Sequence, residues 1–149
     1  MALDVSAVAP RVQYTVGGSA DSTFDYDFEI FDDADINVYV DDTLKSLSTH
    51  YTVSGAGTTG GGTVTMTSGN AVTNATVTLS RDITISRTTD FPASGAFQID
   101  SLNTEFDRVT AVQQTLEDDI SRSLRLADQD ATVAMVLPLK ASRLGKILG

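Results

Sequence analysis

The chain has 149 residues, and its net charge of −10 results from twenty acidic and ten basic residues. Cysteine is absent, which excludes a disulfide framework, a thiolate metal site and a cysteine nucleophile. The acidic balance argues against nucleic acid as a partner, and no apolar run approaches the roughly 18–20 residues of a membrane span.

Residues 1–10 are mostly small and end at Pro10, which is typical of a flexible arm or a docking strand. From Arg11 to about Arg87 apolar and polar residues alternate, which predicts strands with one face towards a core. Seven or eight runs carry this pattern, among them RVQYTV, TFDYDFEIF, INVYV, ATVTLS and ITISR. Such short runs with frequent turn signals predict an antiparallel β-sandwich or barrel-like head over residues 11–98.

Two of these runs predict specific faces. TFDYDFEIF divides into a core set (Phe24, Tyr26, Phe28, Ile30) and an outer set (Asp25, Asp27, Glu29). ITISR predicts a last strand with Ile83 and Ile85 on one face. Between the runs, Asp41-Asp42 is expected to close a tight turn, and the glycine-rich residues 55–62 to form a hairpin tip.

The periodicity becomes helical at Ile99, and no Gly or Pro occurs from Ser101 to Ala127. Asp100 or Ser101 is expected to cap the first turn, because both side chains accept hydrogen bonds from the free N–H groups at a helix start. The sequence therefore predicts one long helix within residues 99–130.

The apolar residues of this helix follow alternating steps of four and three, which is the heptad of a coiled coil. The interface candidates of this stripe are Leu102, Phe106, Val109, Gln113, Leu116 and Ile120. Gln113 within the stripe lowers stability but can fix register or oligomeric state. A stripe this narrow packs against identical helices or against the chain's own β domain, and the sequence leaves both alternatives open.

Residues able to carry catalysis are scarce. His50 is the one histidine of the sequence, and neither a GxSxG motif nor a nearby carboxylate accompanies it. The acidic groups around Asp25, Asp33 and Asp118 lack the spacing of a calcium loop. The glycine-rich residues 55–62 lack the Lys-Ser/Thr pair of a phosphate loop. We expect no enzyme activity, no cofactor and no metal site.

Four segments together resemble the N-terminal virion-attachment domain of T7-like bacteriophage tail fibre and tailspike proteins. They are YTVGGSADSTFDYDFEIF, INVYVDDTLKSLSTHYTVSG, VTLSRDITISRTTDF and SGAFQIDSLNTEFDRVTAVQQTLEDD. The last is the most specific, because Leu102-Asn103 opens the helix and Gln113 or Gln114 falls in its middle. The chain departs from the family at Tyr26-Asp27, where relatives often carry a proline, and in its final residues.

This resemblance implies a structural protein of the virion, assembled in the host cytoplasm. It would anchor a tail fibre or tailspike to the tail as a homotrimer, with tail adaptor and nozzle proteins as partners and with residues 99–130 forming a trimeric coiled coil. Charge alone suggests a tail-docking cluster at Asp32, Asp33 and Asp35, which would contact a basic partner surface.

The two ends of the chain differ in charge. The first 130 residues contain all twenty acidic and seven basic residues, which gives −13, whereas the last nineteen carry Lys140, Arg143 and Lys146, which gives +3. Residues 131–149 are expected to be a basic connector, either to the shaft of a longer fibre or to a separate receptor-binding protein.

A second interpretation is a β-sandwich binding module for a host-surface glycan, with Tyr39, Tyr51 and Phe97 exposed near loops as an aromatic platform. The alternation of the strands places most aromatic residues in the core, which favours the structural interpretation.

Overall fold

The computed structural model describes residues 5–86 and 98–123. Within them the chain is mainly β, with two antiparallel sheets followed by one long helix, so the predicted fold class is confirmed to that extent. The elements are β1 Arg11–Val16, β2 Thr23–Tyr26, β3 Ile36–Val40, β4 Thr43–Leu44, β5 Tyr51–Ser54, β6 Gly62–Met66, β7 Ala75–Arg81 and α1 Ile99–Ser121. Within the described residues, no helix is both long enough and apolar enough to cross a membrane.

The two sheets enclose one hydrophobic core. Their strand orders are β1-β7-β3-β4 and β2-β6-β5, and every pairing is antiparallel. Leu79 on the central strand β7 pairs with Val12 on one side and with Val38 on the other. A hydrogen bond joins the two sheets: the hydroxyl of Tyr51, a residue of β5, donates to the Ile36 carbonyl of β3 at 3.1 Å.

The alternation of the sequence accounts for the core. The four residues predicted to face inward, Phe24, Tyr26, Phe28 and Ile30, are all buried. Tyr14 of β1 packs against Phe24 of β2 with ring centroids 5.5 Å apart. Alternate residues of a strand point to opposite faces, so Asp25 and Asp27 are exposed, as expected.

The structure differs from two of the predicted strands. β2 stops at Tyr26, and of the residues after it Glu29 departs from the alternation, because it is fully buried instead of lying on the outer face. β7 stops at Arg81, because both neighbouring strands end their pairing there, at Arg11↔Ser80 and Ile36↔Arg81. The prediction of ITISR as a separate last strand is wrong for its described residues 83–86, which form no strand: Ile83 is buried, and Ile85 is exposed.

Both predicted turns are confirmed. Asp41-Asp42 joins β3 to β4 with Val40 paired to Thr43, and Asp41 adopts a positive φ of 52°. The Asp41 carboxylate accepts a hydrogen bond from the Thr76 N–H at 2.9 Å, which holds the turn on β7. Residues 55–61 form the tip between the paired strands β5 and β6.

Gly61→Ala is expected to destabilise the head much more than Gly60→Ala. Both glycines have a positive φ, 80° and 89°, so a side chain strains the backbone at either position. A Cβ on Gly61 would lie 2.0 Å from the Tyr26 carbonyl oxygen, whereas no atom lies within 4 Å of a Cβ on Gly60. We expect losses in the free energy of unfolding of roughly 3 kcal/mol or more for Gly61→Ala and about 1 kcal/mol for Gly60→Ala, measured in urea. Equal losses would contradict the close backbone approach.

Candidate functional site: a helix with two faces

The helix α1 begins one residue before the predicted cap. Its N-cap is Gln98, whose side chain makes no capping bond to the backbone, so the prediction of Asp100 or Ser101 as the cap is wrong. Asp100 instead lies in the first turn, where its charge favours the helix dipole. At the other end Arg122 forms ion pairs with Asp118 and Asp119. The helical part of the prediction beyond 123 lies outside the described residues.

One face of α1 lies on the head around Ala111, which is the buried residue of the helix. The guanidinium of Arg81 reaches this face from the end of β7. Its Nε donates to Thr115 Oγ1 at 3.1 Å. Its Nη2 donates to Gln114 Oε1 at 2.8 Å and to the Ala111 carbonyl at 2.9 Å. A small residue at 111 lets the guanidinium reach the helix backbone, so Arg81 joins the head to the helix.

The same guanidinium is anchored within the head. Its NH1 donates to the Glu29 carbonyl at 3.3 Å, and its central carbon lies 5.9 Å from the centre of the Phe28 ring. Arg81 is 2% exposed. Burial lowers the pKa of its guanidinium, and the charges of Glu29 and Asp35 oppose that shift. A buried cation with this many acceptors is stabilised where it lies, and its removal would leave several polar groups without a partner.

Glu29 is the buried acid of this cluster. Its Oε1 accepts hydrogen bonds from the Ser6 hydroxyl and from the Gly60 N–H, the latter at 3.3 Å. Its Oε2 has no hydrogen-bond partner among the described residues. The negative charge of Glu29 offsets the positive charge of Arg81 within the same buried region.

Part of the N-terminal arm also belongs to this cluster. The Ser6 carbonyl accepts from Gln114 Nε2 at 2.9 Å, and the Pro10 carbonyl accepts from the Arg81 N–H at 2.8 Å. Val8 packs against the hydrophobic core. Residues 6–10 therefore contact their own chain, which corrects the expectation of a free arm for this part. Residues 1–4 lie outside the described residues.

The other face of α1 carries the predicted stripe and is open to solvent. The large side chains of the stripe are between 45% and 60% exposed: Phe106, Val109, Leu116 and Ile120. Gln113 is exposed, and Leu102 is half-buried. Successive residues of a helix are 100° apart, so this stripe lies opposite Ala111. The helix thus contacts its own β domain through its polar face, and the alternative that the stripe packs against this domain is wrong for the single chain.

The predicted tail-docking residues do not form one exposed cluster. Asp32 and Asp33 are exposed, but Asp35 is 6% exposed. The Asp35 carboxylate accepts from the N–H groups of Phe31 and Asp32 at 3.1 and 2.9 Å, and the Asp32 carboxylate accepts from the Ala34 N–H at 2.9 Å. Asp35 is therefore a structural residue of the 3-10 turn Asp33–Asp35, and its place in the docking cluster is corrected on that ground.

The aromatic platform of the second interpretation is not formed as expected. Tyr51 is 3% exposed and its hydroxyl is bonded to the core, so its expected exposure is wrong. Tyr39 is half-buried, and Phe97 lies outside the described residues. His50 accepts at Nδ1 from the Ser46 N–H at 3.1 Å, which is a structural contact. In the part of the chain that the structure describes, no three acidic or histidine side chains come together as a metal site.

Sequence reasoning missed Arg81, placed Glu29 on the outer face, and named Gln114 in the resemblance without giving it a contact. A signal for Arg81 was present, because it continues the buried series Val77 and Leu79 along β7. An arginine in the inward phase of a strand needs buried acceptors, so this position indicates a second element packed over the strand end. Glu29 gave no such signal, because its burial follows from the early end of β2.

The comparisons with known proteins give one similarity. No protein-family model matches this chain. The chain is 30% identical over 128 residues to the tail spike protein of Salmonella phage epsilon15, an alignment that covers 83% of this chain and 12% of that protein. The chain thus spans about an eighth of the relative's length. The similarity supports a phage tail-related protein with a structural role in the virion tail.

Proposed function

We propose that this chain is a structural protein of a phage tail that anchors a tail fibre or tailspike to the virion tail as a homotrimer. The observation that carries the proposal is the open heptad stripe on α1, opposite the face that the head covers. Three such helices can meet along their stripes while each head stays on the outside. The number three comes from the resemblance to phage attachment domains.

The area of the stripe supports self-association. Each half-exposed large apolar side chain presents on the order of 100 Å² to water, so the stripe with Ile99 approaches the roughly 300–600 Å² that is the largest apolar patch of a typical monomer. A stable interface covers about 800 Å² on each partner. The alternating spacing selects a second helix with the same repeat as the partner.

The partners follow from the same proposal. The head would dock on tail adaptor and nozzle proteins, and residues 131–149 would lead to the fibre shaft or to a separate receptor-binding protein. The mechanism is assembly rather than catalysis: identical helices fix the register of the chains, and symmetry presents one docking surface to the tail.

The solution mass of the chain, measured by native mass spectrometry over a range of concentrations, tests the proposal. We expect a trimer that binds tail particles lacking their fibres in a pull-down. A chain that stays monomeric at all concentrations would contradict the homotrimer, and a trimer without affinity for the tail particles would contradict the anchoring role.

Docking through the exposed acids is a separate expectation. Asp32→Asn with Asp33→Asn removes two exposed charges and should weaken binding to the tail at low salt by about two- to tenfold, because exposed charges contribute modestly and are screened by salt. The measurement is the pull-down titration at low and at physiological ionic strength. Asp41→Asn with Asp42→Asn, which removes the same charge at another turn, is the control. Unchanged binding in the first variant would remove these residues from the docking surface.

A further inference from the structure

A pocket lies beside the middle of the helix stripe. Residues 84–86 leave the sheet and run along α1, where Arg108 NH2 donates to the Thr84 carbonyl at 3.0 Å. The space between them measures about 390 Å³, and Ile85, Val109 and Val112 form much of its lining. Ile85 is 75% exposed, more than any other large apolar side chain of the described residues.

We propose that this pocket is the second part of the self-association surface and that the helix of a neighbouring copy occupies it. The proposal rests on the proposed function, because it needs copies that join along the stripe. Val109 and Gln113 line the pocket and also belong to the stripe, so the two surfaces are continuous. A helix seated on the stripe covers the mouth of the pocket at the same time.

Heptad geometry identifies the part of the neighbour that arrives there. With Phe106 and Gln113 in one core column, Glu105 and Val112 are the flanking residues on the pocket side of the stripe. In a parallel coiled coil a residue on this flank contacts the opposite flank of the next helix, about five residues further along the sequence. The count here starts from Glu105. The neighbour's residue at that height is Thr110, which is exposed on the side of α1 away from the pocket.

The area favours a second copy as the occupant. Ile85 adds on the order of 100 Å² of apolar surface to the stripe, which brings the patch towards the roughly 800 Å² that each partner of a stable interface covers. The contact is heterologous, because Ile85 of one copy contacts the Thr110 side of the next, and such contacts close into a ring around a threefold axis. Each head would then be held by two helices, its own and that of its neighbour.

Cysteine cross-linking tests this contact, because the natural chain contains no cysteine. In the variant Ile85→Cys with Thr110→Cys, the two positions of one chain lie on opposite flanks of α1, beyond the roughly 7 Å between Cα atoms that a disulfide tolerates. A disulfide therefore forms only between copies. We expect mild oxidation to give a covalent trimer on a non-reducing gel, because each chain is linked to both neighbours.

Two controls separate this inference from the proposed function. Val109→Cys reports the contact between two stripes, because its disulfide needs the same residue of another copy. It should stop at a covalent dimer, because one cysteine per chain links only two chains. In Leu44→Cys with Thr110→Cys, the first cysteine lies on the edge strand β4, away from the pocket, and this variant should give no cross-link. Cross-linking of Val109→Cys without that of the Ile85 and Thr110 pair would overturn the pocket contact and leave the trimer standing. Failure of both would overturn the pocket contact together with the trimer.

A binding measurement gives an independent check. We expect Ile85→Ser to raise the concentration at which half of the chains are monomeric by about tenfold, because a side chain otherwise covered by the neighbour is lost. Leu44→Ser removes another exposed apolar side chain, 53% exposed and away from the pocket, and should leave that concentration unchanged. Equal effects of the two substitutions would overturn the proposal. Circular dichroism confirms that both variants fold.

Discussion

Phe106→Asp combined with Ile120→Asp is expected to convert a trimer into folded monomers. Both side chains are more than half exposed in the single chain, so their replacement leaves the head and the Arg81 contacts untouched. In an assembled trimer they would be buried, and each of the six apolar side chains lost is worth on the order of 2 kcal/mol. Carboxylates close together at the axis add repulsion, so the trimer dissociation constant should rise by several powers of ten.

The matched control is Thr104→Asp combined with Ser121→Asp. These exposed positions lie off the stripe and add the same charge to the same helix. We expect this variant to keep the mass of the wild-type assembly in native mass spectrometry, while the stripe variant falls to one chain with an unchanged β signal in circular dichroism. A stripe variant that remains trimeric would show that α1 does not hold the copies together.

Arg81→Met is expected to destabilise the single chain by about 3–5 kcal/mol, which is typical when one member of a buried charged cluster is removed. The substitution removes the guanidinium donor from the Ala111 carbonyl, Gln114 Oε1 and the Glu29 carbonyl, and of these the Ala111 carbonyl keeps the Thr115 hydroxyl as a donor. It also leaves the buried Glu29 carboxylate without the opposite charge nearby. Urea unfolding in the Phe106→Asp/Ile120→Asp background measures this loss without the concentration dependence of an oligomer.

Arg122→Met serves as the control for Arg81→Met. Arg122 pairs with Asp118 and Asp119 at the surface, where an ion pair contributes roughly 0–1 kcal/mol. Arg81→Lys keeps the charge but cannot supply the planar set of donors, so its loss should lie between those of the two methionine variants. A loss below about 1 kcal/mol for Arg81→Met would mean that the helix is held on the head by other contacts.

The parts of the fold that depend on local periodicity could be predicted from the sequence. Phe24, Tyr26, Phe28 and Ile30 alternate because one face of the chain meets the core, and they are buried as that pattern requires. The stripe of α1 was equally readable, since a spacing of four and three has one geometric meaning on a helix. The exposure of this stripe in the single chain could not be predicted, because exposure depends on which face of the helix the head covers.

The missed residues depend on contacts between distant segments. Glu29 is buried through Ser6 and Gly60, which lie 23 and 31 residues away in the sequence. The buried Asp35 carboxylate accepts hydrogen bonds from two backbone N–H groups of a turn. In the sequence this aspartate cannot be distinguished from the exposed acids beside it. Charged residues of this kind look solvated in a sequence, and only the three-dimensional arrangement of their partners distinguishes them.

The position of the Arg81 contact gives the helix a mechanical property. α1 rests on the head near Ala111, and at 1.5 Å per residue it extends about 18 Å to Ile99 and about 15 Å to Ser121. Its hydrogen bonds to the head come from residues 108–115, so the first turns of the helix extend beyond them. In the proposed trimer, three helices joined along their stripes would hold one another against sideways displacement. A pull along the common axis would then reach each head through the hydrogen bonds of Arg81, Arg108 and Gln114.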